Sequence, residues 1–159
     1  MPHSQLKSKK QRRNSSEYED SRVPGTLTRK QVQDALRRGN SLAGADLRRA
    51  NLAGLCFDEV DLKECKFAEA DLSRATFRKA NLAGASLWRA NLKDAILDGA
   101  TLENADLDFS NLDGCTIQGA RIRKAIFPLH RISMLEVRNA VRSGSRLRMN
   151  PAGDSDIGH

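Results

Sequence analysis

The chain has 159 residues, with 27 Lys and Arg against 20 Asp and Glu, for a net charge of +7. No stretch approaches the roughly 18–20 consecutive apolar residues that span a bilayer. The three cysteines, Cys56, Cys65 and Cys115, and the three histidines, His3, His130 and His159, show no metal-ligand spacing. An odd cysteine count also argues against a disulfide framework. These counts predict no metal, no cofactor and a reducing, cytoplasmic setting.

Residues 1–25 carry no apolar periodicity. Lys7, Lys9, Lys10, Arg12 and Arg13 are followed by Glu17, Glu19 and Asp20. A basic run with no apolar segment behind it is no secretory signal. It reads as a disordered arm, able to attract nucleic acid or an anionic surface weakly and without sequence preference. Residues 26–39 hold a helix signature. Thr28 and Gln31 have capping-box spacing, Leu27 and Val32 occupy the staple positions, and Gly39 is a stop. A short helix over 29–38 is predicted to close the N-terminal end of the central segment.

From Leu42 to Phe127 an apolar residue recurs at every fifth position, eighteen times without a miss. Two residues before it stands Ala in twelve of the eighteen cases, and Asn40, Leu55, Val60, Cys65, Ser110 or Cys115 in the other six. Asp or Asn lies between the two at 46, 51, 61, 71, 81, 91, 106 and 111. A period of five fits neither the helical 3.6 nor the strand 2.0. It fits a chain that turns a corner once per five residues, so that four sides close a square coil of twenty. The large residue and the small one then both point inward, as alternate residues of an extended segment do. Asp and Asn suit the corners because their short side chains bond nearby backbone. Gly44, Gly54, Gly84, Gly99, Gly114 and Gly119 sit at the fifth position, where positive φ is easiest without Cβ.

The motif A-(D/N)-L-x-x, present as ADLRR, ANLAG, ADLSR, ANLKD and ADLDF, resembles the pentapeptide-repeat proteins. The resemblance covers residues 40–129. It implies an all-β solenoid, a right-handed quadrilateral β-helix of about 4.5 coils. Phe57 and Phe77 then stack on one wall and meet Phe67 from the opposite wall, forming an aromatic plug. One Leu buried, about 2 kcal/mol, falls short of ordering five residues, at least about 5 kcal/mol. Contacts between stacked coils must therefore supply the rest.

Residues 130–144 repeat the cap signature. Ser133 and Glu136 form a second capping box, Met134, Val137 and Val141 share a face, and Gly144 ends the segment. A C-terminal capping helix over 134–143 is predicted. Residues 145–159 read as a disordered tail.

No nucleophile, base and orienting group occur together, and a coil packed with Ala and Leu offers no catalytic pocket. The chain is expected not to be an enzyme. Charge is uneven, at +6 over residues 1–39, −1 over 40–127 and +2 over 128–159. An acidic band (Asp94, Asp98, Glu103, Asp106, Asp108, Asp113) precedes basic Arg121, Arg123, Lys124 and Arg131. Trp88 and Phe109 occupy positions where outward polar residues are expected, with Arg89 one coil below Phe109 and Ile126 on the same wall. Two readings stand here. One is a partner or self-association patch of Trp88, Arg89, Phe109 and Ile126. The other is a landing place for the C-terminal tail. The leading functional expectation is a rigid protein–protein interaction or scaffold module. The alternatives are a topoisomerase-directed DNA mimic, which the resemblance raises, and a nucleic-acid or anionic-surface binder acting through Lys7, Lys9, Lys10, Arg12 and Arg13.

Overall fold

A computed structural model describes residues 25–151; the basic arm at Lys7, Lys9, Lys10, Arg12 and Arg13 lies outside them. Helix α1 spans Arg29–Arg37 and helix α2 spans Met134–Ser143. Between them the backbone coils without a continuous strand among the described residues. Pairing runs instead through thirteen single-residue parallel bridges, each joining residues twenty apart, from Asp46 with Lys66 to Asp106 with Ile126. Four pentapeptides therefore make one turn of the coil. Each side is too short for a strand, because a corner intervenes before a second bridge can form.

The ladder is regular. The Leu52 amide donates to the Asp71 carbonyl at 2.8 Å, and the Asp71 amide donates to the Ala50 carbonyl at 3.0 Å. Gly54 donates to Ser73 at 2.9 Å. Within each side the small residue closes a turn, as when the Ala90 amide donates to the Leu87 carbonyl at 2.9 Å. The third residue of that turn takes positive φ at every fifth position from Gly44 to Lys124. Six of these residues are glycines, but eleven are not, among them Arg49 (59°), Glu59 (63°), Arg74 (58°) and Phe109 (57°). A left-handed conformation costs roughly 1–2 kcal/mol per residue with a Cβ. Ladder bonds on both sides of the turn hold these residues there.

All eight Asp and Asn residues of the motif act alike. Each sits in the paired segment rather than at the corner, and its side chain reaches forward to the amide two residues on. Asp106 accepts from Asp108 at 2.9 Å, Asp71 from Ser73 at 3.0 Å and Asn81 from Ala83 at 3.1 Å. Where Thr76 and Thr116 replace the carboxylate or amide, the same amide finds the layer below. Arg78 donates to Asp58 at 2.8 Å and Gln118 to Asp98 at 2.9 Å.

The interior is apolar. Leu47, Leu52, Leu62, Leu72, Leu82, Leu87, Leu92, Leu97, Leu102 and Leu107 are fully buried. Phe57 and Phe77 stack at 5.0 Å with planes 7° apart. Phe67 meets them edge-on at 6.3 and 6.4 Å. Cys65 and Cys115 take two of the small inward positions and donate their thiols to the Leu42 and Leu92 carbonyls at 2.8 and 2.9 Å. Burial pushes the Cys65 thiol up to about 11 and raises that of Cys115 further. Cys56 is exposed.

A capped helix stands at each end of the coil. The Thr28 hydroxyl accepts from the Gln31 amide, and the Gln31 side chain accepts from the Thr28 amide, which sets the start of α1. Val32 is buried against the first coil. The Leu27 amide extends the ladder to the Asp46 carbonyl at 2.9 Å, and the Arg29 guanidinium donates to the Asn51 and Ala53 carbonyls at 3.1 Å. At the far end Ser133 and Glu136 form the reciprocal box, and Gly144 leaves α2 with φ of 74°. Val137 and Ala140 are buried beneath it.

The segment after α2 differs from the sequence expectation of a disordered tail over 145–159. Residues 145–150 run back along the rim of the last coil. Gly114 donates to the Leu147 carbonyl and Leu147 to the Cys115 carbonyl, both at 2.8 Å. The Met149 sulfur receives the Leu112 amide at 2.9 Å, and Leu147 is buried. The open ladder of the final coil attracts this segment, since unpaired edge groups bond whatever chain lies nearest.

Candidate functional site

One wall of the coil carries the aromatic residues that face outward. Trp88 and Arg89 are the two central residues of the turn from Leu87 to Ala90. Phe109 holds the left-handed position of the turn from Leu107 to Ser110, one layer up from Arg89. The repeat dictates this arrangement, because residues twenty apart share a column. Arg49, Glu69, Arg89 and Phe109 form that column, with Arg49 and Glu69 paired at 3.5 Å. The left-handed backbone of Phe109 comes with the repeat and is therefore no functional signature in itself.

The side chains make a connected cluster. The Trp88 and Phe109 rings meet edge-on at 6.4 Å. The Arg89 guanidinium lies 4.5 Å from the Trp88 ring and 6.0 Å from that of Phe109. His130, in the link after the last repeat, leans on Phe109 at 5.0 Å. Each exposed cation–ring contact contributes about 0.5–1 kcal/mol. Trp88 is half-buried, while Phe109 stays 54% exposed. The described tail residues, 145–150, pair with the rim at Leu112–Cys115 and with Arg131, leaving Phe109 open.

The structure thus brings together Trp88, Arg89 and Phe109. Ile126 is 53% exposed but belongs to the column of Ser86 and Asp106, and none of the ring contacts includes it. His130 was missed in the sequence. It lies beyond the last five-residue step, so the repeat phase could not place it. Among the described residues no group of three or more His, Cys, Asp or Glu side chains is positioned to hold a metal ion. No helix among them is long and apolar enough to cross a membrane.

The repeat register is matched by known proteins. The family model for pentapeptide repeats fits residues 38–67, 56–94, 70–108 and 90–127, with eight copies. The chain belongs to the pentapeptide-repeat family. Among solved structures, this pentapeptide-repeat protein is similar to alr5209, a pentapeptide repeat protein from Nostoc PCC 7120. The two share 29% identity over 76% of this chain and 98% of the other, with a TM-score of 0.67. It is also similar to Rfr23, a pentapeptide repeat protein from the cyanobacterium Cyanothece 51142. There the identity is 31% and the TM-score 0.52, over 52% of this chain and 56% of the other. A comparison with curated proteins found no match. Pentapeptide-repeat proteins are right-handed quadrilateral β-helices, and the twenty-residue bridge spacing agrees with four sides per turn.

Proposed function

We propose that this pentapeptide-repeat protein is a non-enzymatic interaction module of about four and a half coils that binds a protein partner through the wall bearing Trp88, Arg89 and Phe109. The observation that carries the reading is the Trp88–Arg89–Phe109–His130 cluster, held by mutual ring and cation contacts on a rigid wall. Trp and Arg dominate interface energetics when they enter desolvated pockets. Side chains fixed before binding lose less conformational freedom on association. The filled interior of Leu, Phe and Ala supports a role for the outer surface rather than for a reaction cleft. The net charge of −1 over residues 40–127 ranks this reading above mimicry of DNA, whose phosphate spacing demands a long acidic surface.

Replacing Trp88 and Phe109 by Ser tests the reading. The double variant is expected to keep its circular-dichroism spectrum and melting temperature while losing the partner recovered with the unaltered chain. Unaltered recovery together with unaltered oligomeric state refutes the patch.

A further inference from the structure

The described residues close the rim of the last coil only in part. On one side the Leu112 and Gly114 amides are taken by Met149 and Leu147, and at the next corner the Gly119 amide donates to the Val141 carbonyl at 2.9 Å. On the adjoining side none of the described residues does the same. In the layer below, Leu102 donates to Arg121 at 2.7 Å, Asn104 donates to Arg123 at 3.0 Å, and Arg121 donates to Ala100 at 2.9 Å. One layer up, the corresponding groups are the Ile122 amide, the Lys124 amide and the Ala120 carbonyl. Among the described residues none of the three has a hydrogen-bond partner. They form two donors and one acceptor already in ladder register.

The side chains around this gap say what would fill it. Ile122 is half-buried, whereas Leu42, Leu62, Leu82 and Leu102 below it in the same column are buried. Arg121, Arg123 and Lys124 flank it and are exposed. From Gly114 to Leu135 the chain carries Arg121, Arg123, Lys124 and Arg131 and no Asp or Glu. None of these four cations has an ion pair among the described residues.

We propose that the rim at residues 120–124 is a docking edge for an extended segment of a partner protein in which an apolar residue stands between two acidic ones. The register is set by the layers below. The first acidic residue lies over Arg121, donates its amide to Ala120 and accepts from Ile122. The apolar residue lies over Ile122 and covers it. The second acidic residue lies over Arg123 and accepts from Lys124. The coil already pairs opposite charges this way across one layer, at Asp58 with Arg78 and at Arg49 with Glu69, each at 3.5 Å. The mode is strand addition, in which main-chain bonds give affinity and alternate side chains give specificity. A second copy does not suit the edge, since rim-to-rim association would set like charges against each other.

The test uses the full chain and three short peptides, one centred on Glu-Leu-Glu, one on Lys-Leu-Lys, and one Glu-Leu-Glu peptide with its first Glu N-methylated. Amide exchange at Ile122 and Lys124 is tracked by NMR, and affinity by fluorescence anisotropy. The acidic peptide is expected to slow exchange at both amides about tenfold or more, and the other two are expected to leave it unchanged. The R121E/R123E variant is expected to bind about tenfold more weakly or worse with its melting temperature unchanged. The Trp88→Ser/Phe109→Ser variant is expected to bind the peptide like the unaltered chain, which separates this edge from the aromatic wall. Four results overturn the proposal. They are protection of Ile122 and Lys124 in the free protein, which would mean that the chain itself or a second copy fills the edge; equal binding of the basic peptide; equal binding of the N-methylated peptide; and tighter binding of a single-stranded oligonucleotide of matching charge.

Discussion

Relief of the left-handed turns offers a sharp test of how the coil is held together. Glu59 and Arg74 are exposed, hold φ of 63° and 58°, and lie on different corners of the coil. Replacing each by Gly removes a Cβ that costs roughly 1–2 kcal/mol in that conformation. Gly also gives the unfolded chain more freedom, which returns roughly 0.5–1 kcal/mol of the gain. The net expectation is stabilisation by about 0.5–1 kcal/mol per site. The sites share no side-chain contact, so the double variant should gain about 1–2 kcal/mol. Scanning calorimetry should then show a melting temperature higher by about 3–8 °C. Asn104, at φ of 57°, is the control. Asn tolerates this region, so Asn104→Gly should gain less than half as much as either single change. A double variant melting at or below the unaltered chain would refute the view that these turns are strained and held by the ladder around them.

Three further outcomes are expected from the packing and the ionisable groups. Leu147→Ala should cost about 2–5 kcal/mol in urea denaturation, because the side chain is buried against the last coil; no loss would show that residues 145–150 do not close the rim. The Ser133 amide and hydroxyl hold the Glu136 carboxyl below its ordinary 4.5. Its contribution is therefore present in full above pH 4.5 and fades as the pH falls further. The melting-temperature advantage over Glu136→Gln should be visible at neutral pH and shrink in acid; a constant difference would contradict this. A thiol reagent at neutral pH should label the exposed Cys56 in the native protein and reach Cys65 and Cys115 only after unfolding, as mass spectrometry of the labelled chain would show.

The coil was legible because each side uses one geometry, so one chemical choice recurs. The inward row from Leu42 to Phe127, the Phe57–Phe67–Phe77 plug and both capping boxes all come from spacing and residue type. The turn conformation was legible only where Gly stands. At Arg49, Glu69 or Lys79 the ladder imposes positive φ on a residue whose identity gives no sign of it. The closing segment at 145–150 escaped notice because Leu147 and Met149 are too few to form a pattern, and their partners lie more than thirty residues away. In the aromatic cluster, Trp88, Arg89 and Phe109 could be placed by counting in twenties, whereas His130 could not. Ile126 shares their wall, but its column is set by Asp106.

Because every bridge joins residues twenty apart, length changes in this protein are indexed. Loss of five residues between Arg89 and Phe109 would rotate everything downstream by one quarter turn, carrying Phe109 away from Arg89 and the basic rim to another compass point. Loss of twenty would shorten the molecule by a single storey and leave every façade facing as before. Sequences of this kind can thus grow or shrink without redesign only in whole floors.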